Sequence, residues 1–289
     1  MKPVSLRSRV RGISLIELMI SLVIGLVVVG AVIVSIIGSG KAGRFQEAYA
    51  QMNEDAQIGL SILSRDLEMA GYSVPTALTS TGGASPTFNL TYGTIGSSTF
   101  VIGCDTGFAS ATAATVACGT ATTPAFEVVY EADKSNTVLT GGNVPSDCLG
   151  NGIAVGPPYV TRNRYFLSIG TSGRPELSCA SNNAANTPQP LIENIENMKI
   201  WYGTSVLANP TQVVRYVSAT AIAGVGASEW NRVISVRICL LVRSAEPVLN
   251  TGGEDTLTYL DCDAVAQTSN DRYLRRAYFT TAALRDKMP

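Results

Sequence analysis

The chain has no histidine among its 289 residues. That removes the commonest general base and the commonest imidazole metal ligand, and with them any Ser-His or Cys-His nucleophile pair. Charge is also scarce: charged residues make up 15% of the chain against 46% hydrophobic. The formal net charge of -1 gives nucleic-acid binding no electrostatic support. There is no P-loop, no G-x-S-x-G elbow and no dinucleotide fingerprint. Cys104, Cys118, Cys148, Cys179, Cys239 and Cys262 are spaced widely and irregularly, with no C-x-x-C pair, so zinc and thioredoxin-type motifs are missing too. Asp261 and Asp263 flank Cys262 but are too few oxygen ligands for a calcium loop. No catalytic residue, cofactor or metal is expected, and a structural role is favoured over an enzymatic one.

What charge there is divides unevenly. Lys2, Arg7, Arg9 and Arg11 lie in the first twelve residues, which contain no acid. The remainder carries 17 basic and 22 acidic residues, a formal charge of -5. From Leu18 to Gly40 no residue is charged. At about 1.5 Å per residue a helix of that length spans a bilayer core. Four basic residues before the run, against Lys41 and Arg44 after it, place the N-terminus on the cytoplasmic side and everything beyond on the exported side. A cleaved secretory signal would have an apolar core of about 7–15 residues and a small-residue cleavage site; this run is longer and has no clear A-x-A site. A plain anchor has no use for Glu17, since an acid at mid-membrane costs roughly 2.5–3.5 kcal/mol, and less near the interface.

The segment Gly12-Ile13-Ser14-Leu15-Ile16-Glu17-Leu18 resembles the prepilin cleavage motif of type IV pilins and type II secretion pseudopilins. The resemblance implies that prepilin peptidase cuts after Gly12 and N-methylates Ile13, and that Glu17 meets the amine of a neighbouring subunit during assembly. A positive terminus beside a carboxylate stabilises both charges where the dielectric is low. Ile13 departs from the family's usual Phe or Met.

Beyond Gly43 a striped pattern begins: Phe45, Tyr49, Met52, Ala56, Leu60, Leu63, Leu67 and Ala70 recur at intervals of four and three. Gly71 is placed to end this helix in a left-handed cap. The organisation read from the sequence is therefore a leader at residues 1–12, a transmembrane or filament-core helix at 13–40, its amphipathic continuation at 41–71 and a β-rich periplasmic domain at 72–289. Gly25, Gly30, Gly38, Gly40 and Gly43 each lower helix propensity by about 1 kcal/mol relative to Ala and are candidate bending points.

In the exported part, Thr76–Thr123 is rich in Thr, Ser, Ala and Gly. Strands are expected at Thr99–Gly103, Phe126–Ala132, Arg164–Ile169, Met198–Tyr202, Val213–Val217, Val233–Arg243 and Ala277–Ala283. Leu191, Ile192 and Ile195 suggest a short helical turn, and Ser181–Pro190 a loop. In Val233–Arg243 the alternation predicts Ile234, Val236, Ile238, Leu240 and Val242 toward the core, with Cys239 on the other face. Six cysteines in an exported domain fit up to three disulfides, with fifteen pairings open if all are bridged. Cys104 and Cys118 would close a local loop, and Cys262 is the preferred partner for Cys239. Trp201 and Trp230 are expected in packing.

Several segments also resemble PilW-type minor pilins: DLEMAGY at Asp66–Tyr72, PLIENIENMKIWYG at Pro190–Gly203, VISVRICLLVRS at Val233–Ser244 and RRAYFTTAALRD at Arg275–Asp286. This implies the α+β type IV pilin fold, a long N-terminal helix packed on an antiparallel sheet. It implies a structural minor pilin that primes pilus assembly in a tip complex and supports twitching motility and adhesion. The implied partners are prepilin peptidase, PilV-, PilX-, FimU- and PilE-like minor pilins, a PilY-type tip adhesin, the major pilin and, before assembly, the inner membrane of a Gram-negative cell; nucleic acid is not among them. The alternative is a J-type pseudopilin of type II secretion.

Overall fold

The computed structural model describes residues 12–77, 87–88, 99–181, 187–248 and 256–285. The expected leader up to Arg11, much of Thr76–Thr123, part of Ser181–Pro190 and Asp286 lie outside the described residues. The chain divides into two compact units, Met1–Glu47 and Ala48–Pro289. Helix α1 (Leu15–Met69) contributes to both.

In the first unit α1 is apolar all round and its described side chains are almost all exposed. Gly25, Gly30, Gly38, Gly40 and Gly43 are all helical.

In the second unit the rest of α1 and the turn after it bury a narrow stripe: Met52, Ala56, Gly59, Leu63, Leu67 and Ala70. The stripe keeps the expected three-and-four spacing but corrects three members. Phe45 is half-buried, Tyr49 is exposed, and Leu60 is only half-buried because the stripe runs through Gly59 instead. Gly59 brings the helix backbone close to Leu240, Ile192 and Leu177. The helix stops at Met69, and Gly71 adopts φ +85°. There its N–H donates to the Val129 carbonyl at 2.9 Å, and a Cβ would meet the Phe100 ring at 2.6 Å. Glycine is therefore needed both for the left-handed turn and for the ring above it.

The strands are β1 (Pro75–Ala77), β2 (Thr87–Phe88), β3 (Val101–Cys104), β4 (Ala125–Glu131), β5 (Val160–Ile169), β6 (Pro175–Ala180), β7 (Gln189–Glu193), β8 (Ile195–Thr204), β9 (Arg215–Val217), β10 (Val233–Arg243), β11 (Leu257–Leu260), β12 (Ala266–Ser269) and β13 (Arg275–Ala283). A short helix α2 (Ala219–Val225) and a 3-10 turn (Ala227–Arg232) precede β10. The described strand pairs are antiparallel. They form a five-stranded sheet in the order β3-β4-β5-β6-β7, a four-stranded sheet in the order β13-β10-β8-β9, and two ribbons, β1-β2 and β11-β12.

The expected helical turn at Leu191–Ile195 is instead the passage from β7 to β8. Asn194, at φ +67°, separates the two strands and lets both Ile192 and Ile195 point into the core. That spacing of three imitates a helix in the sequence. Asn194 also joins the sheets: its N–H donates to the Pro175 carbonyl at 2.7 Å and its carbonyl accepts from Arg243 N–H at 2.9 Å.

The expected faces of β10 are observed, with Leu240 toward α1 and Cys239 on the other side, but that other side is buried as well. Val233, Cys239 and Leu241 are as buried as Ile238 and Leu240. β10 lies between β8 and β13, so neither edge is free. One face meets α1 through Leu240, and the other is covered where Cys239, Leu241 and Cys262 pack with Trp201, Tyr259 and Ala277. A strand buried on both faces reads as a continuous apolar run.

Candidate assembly site

The first turn of α1 begins with the Leu18 N–H donating to the Ser14 carbonyl at 3.1 Å. Glu17 sits in that turn, where an acid is favoured by the positive end of the helix dipole. Ser21 Oγ donates to the carbonyl oxygens of Glu17 at 2.7 Å and Leu18 at 3.1 Å, so its hydroxyl is satisfied inside the helix. The Glu17 side chain is exposed and forms no ion pair among the described residues. Gly12 and Ile13 precede the helix, and Ile13 is 74% exposed.

From Ile13 to Ile36 large apolar side chains stand in the open, among them Leu15, Leu22, Leu26 and Val34. The helix contains a window of mean hydropathy 3.0, none of it buried, and is long and apolar enough to cross a membrane. At about 25 cal/mol per Å² of apolar surface, such a stretch has a strong drive to be covered by lipid or protein.

The second part of α1 is fastened to both sheets. The carboxylate of Asp66 accepts from Tyr165 Oη at 2.5 Å, Asn163 Nδ2 at 2.6 Å and Tyr130 Oη at 3.2 Å. Tyr130 is on β4, and Asn163 and Tyr165 are on β5. Burial pushes the Asp66 carboxyl above its ordinary value, and the three hydrogen bonds oppose that shift. Both tyrosine hydroxyls are pushed up, first by burial and then by the Asp66 charge, so they stay protonated as donors. On the four-stranded sheet, Tyr278 Oη donates to Asn53 Oδ1 at 2.7 Å, and Ser64 Oγ meets Thr280 Oγ1 at 3.4 Å. Asp66 opens the DLEMAGY segment, yet nothing in the sequence signals its role. The helical pattern puts it off the apolar stripe, and its three donors are 64 to 99 residues away in sequence.

The six cysteines form three disulfides, Cys104–Cys118, Cys148–Cys179 and Cys239–Cys262. The first closes the loop after β3. Within that loop the Ala111 and Ala113 carbonyls accept from Arg164, whose Nε also pairs with buried Glu127 at 2.6 Å. Asp261 is occupied in its own turn: Oδ1 accepts from the N–H groups of Asp263 and Val265, and Oδ2 from Gln267. Asp263 pairs with Lys199. Trp230 is buried edge-on to Tyr202 at 4.9 Å, and Trp201 lies against Lys199 and Arg237.

Residues 164–286 match the family model described as type IV pilus-assembly protein W, and residues 7–33 match the prokaryotic N-terminal methylation motif. No curated protein matches the chain. Among solved structures, a type IV-like pilin from Thermus thermophilus is similar at 13% identity and a TM-score of 0.40, over 82% of this chain and 98% of that one. With a methylation motif on an exposed apolar helix at one end and the pilus-assembly match across β5 to β13 at the other, the chain is similar to type IV pilins of the PilW family over these two stretches.

Proposed function

We propose that the chain is a minor pilin, made as a precursor in the inner membrane of a Gram-negative cell, with residues 72–289 in the periplasm. Prepilin peptidase cuts after Gly12 and methylates Ile13. Glu17 then meets the new N-terminal amine of an adjacent subunit, and the apolar helix passes from lipid into a filament core. In this reading the subunit primes pilus assembly within a tip complex of PilV-, PilX-, FimU- and PilE-like minor pilins, a PilY-type adhesin and the major pilin below. It thereby serves twitching motility and adhesion.

The observation that carries the reading is the exposed apolar stretch Ile13–Ile36, helical from Leu15, headed by a lone carboxylate and joined to a domain held on the helix's later turns. Such a helix exchanges lipid for protein contacts without unfolding the domain, because the domain's packing uses other residues. N-terminal mass analysis of the subunit in sheared filaments tests it. The expected species begins at N-methylated Ile13. An intact residue 1–12 leader in filaments, or the chain's absence from them, would overturn the reading. A deletion strain assayed for twitching and for exoprotein secretion separates pilus from secretion: lost twitching with intact secretion is expected.

A further inference from the structure

Four strands stand at the edges of the two larger sheets, and three of them are blunted. β9 has three residues, β3 has four and ends in a disulfide, and β7 carries Pro190 beside a register shift. β13 differs. It has nine residues, contains no proline and pairs with β10 in unbroken register from Ser235↔Ala283 to Arg243↔Arg275.

The direction of its free backbone groups follows from the flanking bonds. Leu284 N–H donates to the Ile234 carbonyl at 2.9 Å, and Ser244 N–H donates to the Leu274 carbonyl at 2.9 Å. In an antiparallel ladder, hydrogen-bonded pairs alternate with non-bonded ones. The even-numbered residues of β13 therefore bond to β10, and Ala277, Phe279, Thr281 and Ala283 direct their N–H and C=O groups outward. These four make no other backbone bond among the described residues. Phe279 is 44% exposed beside this edge. Arg276 is also exposed, lies over the Tyr278 ring and has no carboxylate partner among the described residues.

A long, unblunted edge is a template for another strand. We propose that the outer edge of β13 is a strand-addition site for an extended segment of a different chain. That segment presents an apolar side chain to Phe279 and a carboxylate to Arg276. A second copy fits poorly. Antiparallel self-pairing places a two-fold axis perpendicular to the sheet. Because α1 lies across that sheet through Asn53 and Ser64, the axis would run residues 48–69 of the two helices antiparallel, against the common subunit polarity that the filament reading above requires. Parallel self-pairing sets Arg275 and Arg276 beside their own counterparts, and like charges opposed across strands repel.

The inference that the partner is a fellow subunit rests on the filament reading above. The test uses the full chain in cells, with photoreactive p-benzoylphenylalanine replacing Phe279. After irradiation, mass spectrometry identifies the cross-linked peptide. The expected product joins Phe279 to a strand segment of another pilin-like subunit. Thr281→Pro removes one outward N–H and leaves the β10 ladder whole, so it should reduce the yield about tenfold, the loss expected for one acceptor left unpaired. Arg276→Glu should reduce it without altering the backbone, and carries the test should Thr281→Pro lose its disulfides or protease resistance. A cross-link only to a second copy or to lipid, no cross-link, or a yield unchanged by these variants would overturn the proposal. A strand cross-link in membranes, with the chain missing from sheared filaments, would defeat the filament reading and leave the strand-addition site standing.

Discussion

The Tyr165 hydroxyl donates a 2.5 Å hydrogen bond to the Asp66 carboxylate across 99 residues of sequence. With Asn163 and Tyr130 it makes one helical side chain the polar tie between α1 and the five-stranded sheet. Asp66→Ala leaves these donors enclosed without their acceptor. A loss of about 2–4 kcal/mol is expected, measured by denaturant unfolding of the full chain in detergent.

Two acids should pull stability in opposite directions with pH. Burial raises the Asp66 carboxyl, so the native state keeps its proton to higher pH than the unfolded chain. Stability therefore falls as pH climbs from the ordinary value of about 3.9 through the raised native one. Arg275 holds Asp271 well below the ordinary range, with Ser269 and the Tyr273 N–H adding to the effect. Asp271 thus contributes stability that is present above about pH 3.9 and lost as pH falls toward its lowered native value. Unfolding titrations should show a smaller acid-side loss in Asp271→Asn and a missing opposite slope in Asp66→Asn.

The Tyr202 hydroxyl is buried with no hydrogen-bond partner among the described residues. It crowds Gly103, where a Cβ would stand 1.8 Å from the oxygen. Tyr202→Phe removes an unsatisfied polar atom and keeps the ring against Trp230. A gain of about 1 kcal/mol is expected. Gly103→Ala should destabilise, because the clash is with a packed ring. Thermal melting of both variants checks the pair.

Cys239–Cys262 closes a separation of 23 residues over a cluster containing Leu241 and Tyr259. Replacing both cysteines by serine should cost about 2–4 kcal/mol. Limited proteolysis should then cut first near Leu257–Ser269, with α1 and the five-stranded sheet unaffected.

Under the proposed function, Glu17→Ala should be cleaved normally, since the peptide bond after Gly12 is untouched. Loss of the proposed charge pair, if worth about 1.4 kcal/mol, would cut incorporation about tenfold. Immunoblots of sheared filaments against membranes read the ratio.

Much of this was legible along the chain. The apolar run, the Met52–Ala70 stripe and the strands β10 and β13 follow from periodicity alone. What was not legible depended on distant partners. β6, with the sequence PELSCA, opens on a proline and has no strong pattern; it is a strand because β5 and β7 lie on either side. Ile192 and Ile195 read as helical because a single left-handed Asn194 supplies the same phase shift. Cys239 and Leu241 read as the outer face of β10, and only the fold of a segment some twenty residues later buries them. Of the candidate assembly site, the stretch holding Gly12, Ile13 and Glu17 stands out in the sequence as one contiguous motif, and the methylation-motif match at residues 7–33 covers it; the roles of the three residues belong to the proposal. The Asp66 tie does not stand out, because its donors come from two strands much later in the chain.

The three disulfides span separations of 14, 31 and 23 residues, and none includes a residue of α1. The cross-links therefore stiffen loops and strands of the domain, and apart from the main chain leaving Met69 its grip on the helix is non-covalent. A tensile load applied at the Ala48 end of that helical segment would be borne in shear, by the Asp66 and Asn53 hydrogen bonds and the interlocked Met52–Ala70 stripe acting together. Reducing agents should leave that yield force unchanged, while a single substitution at Asp66 should lower it.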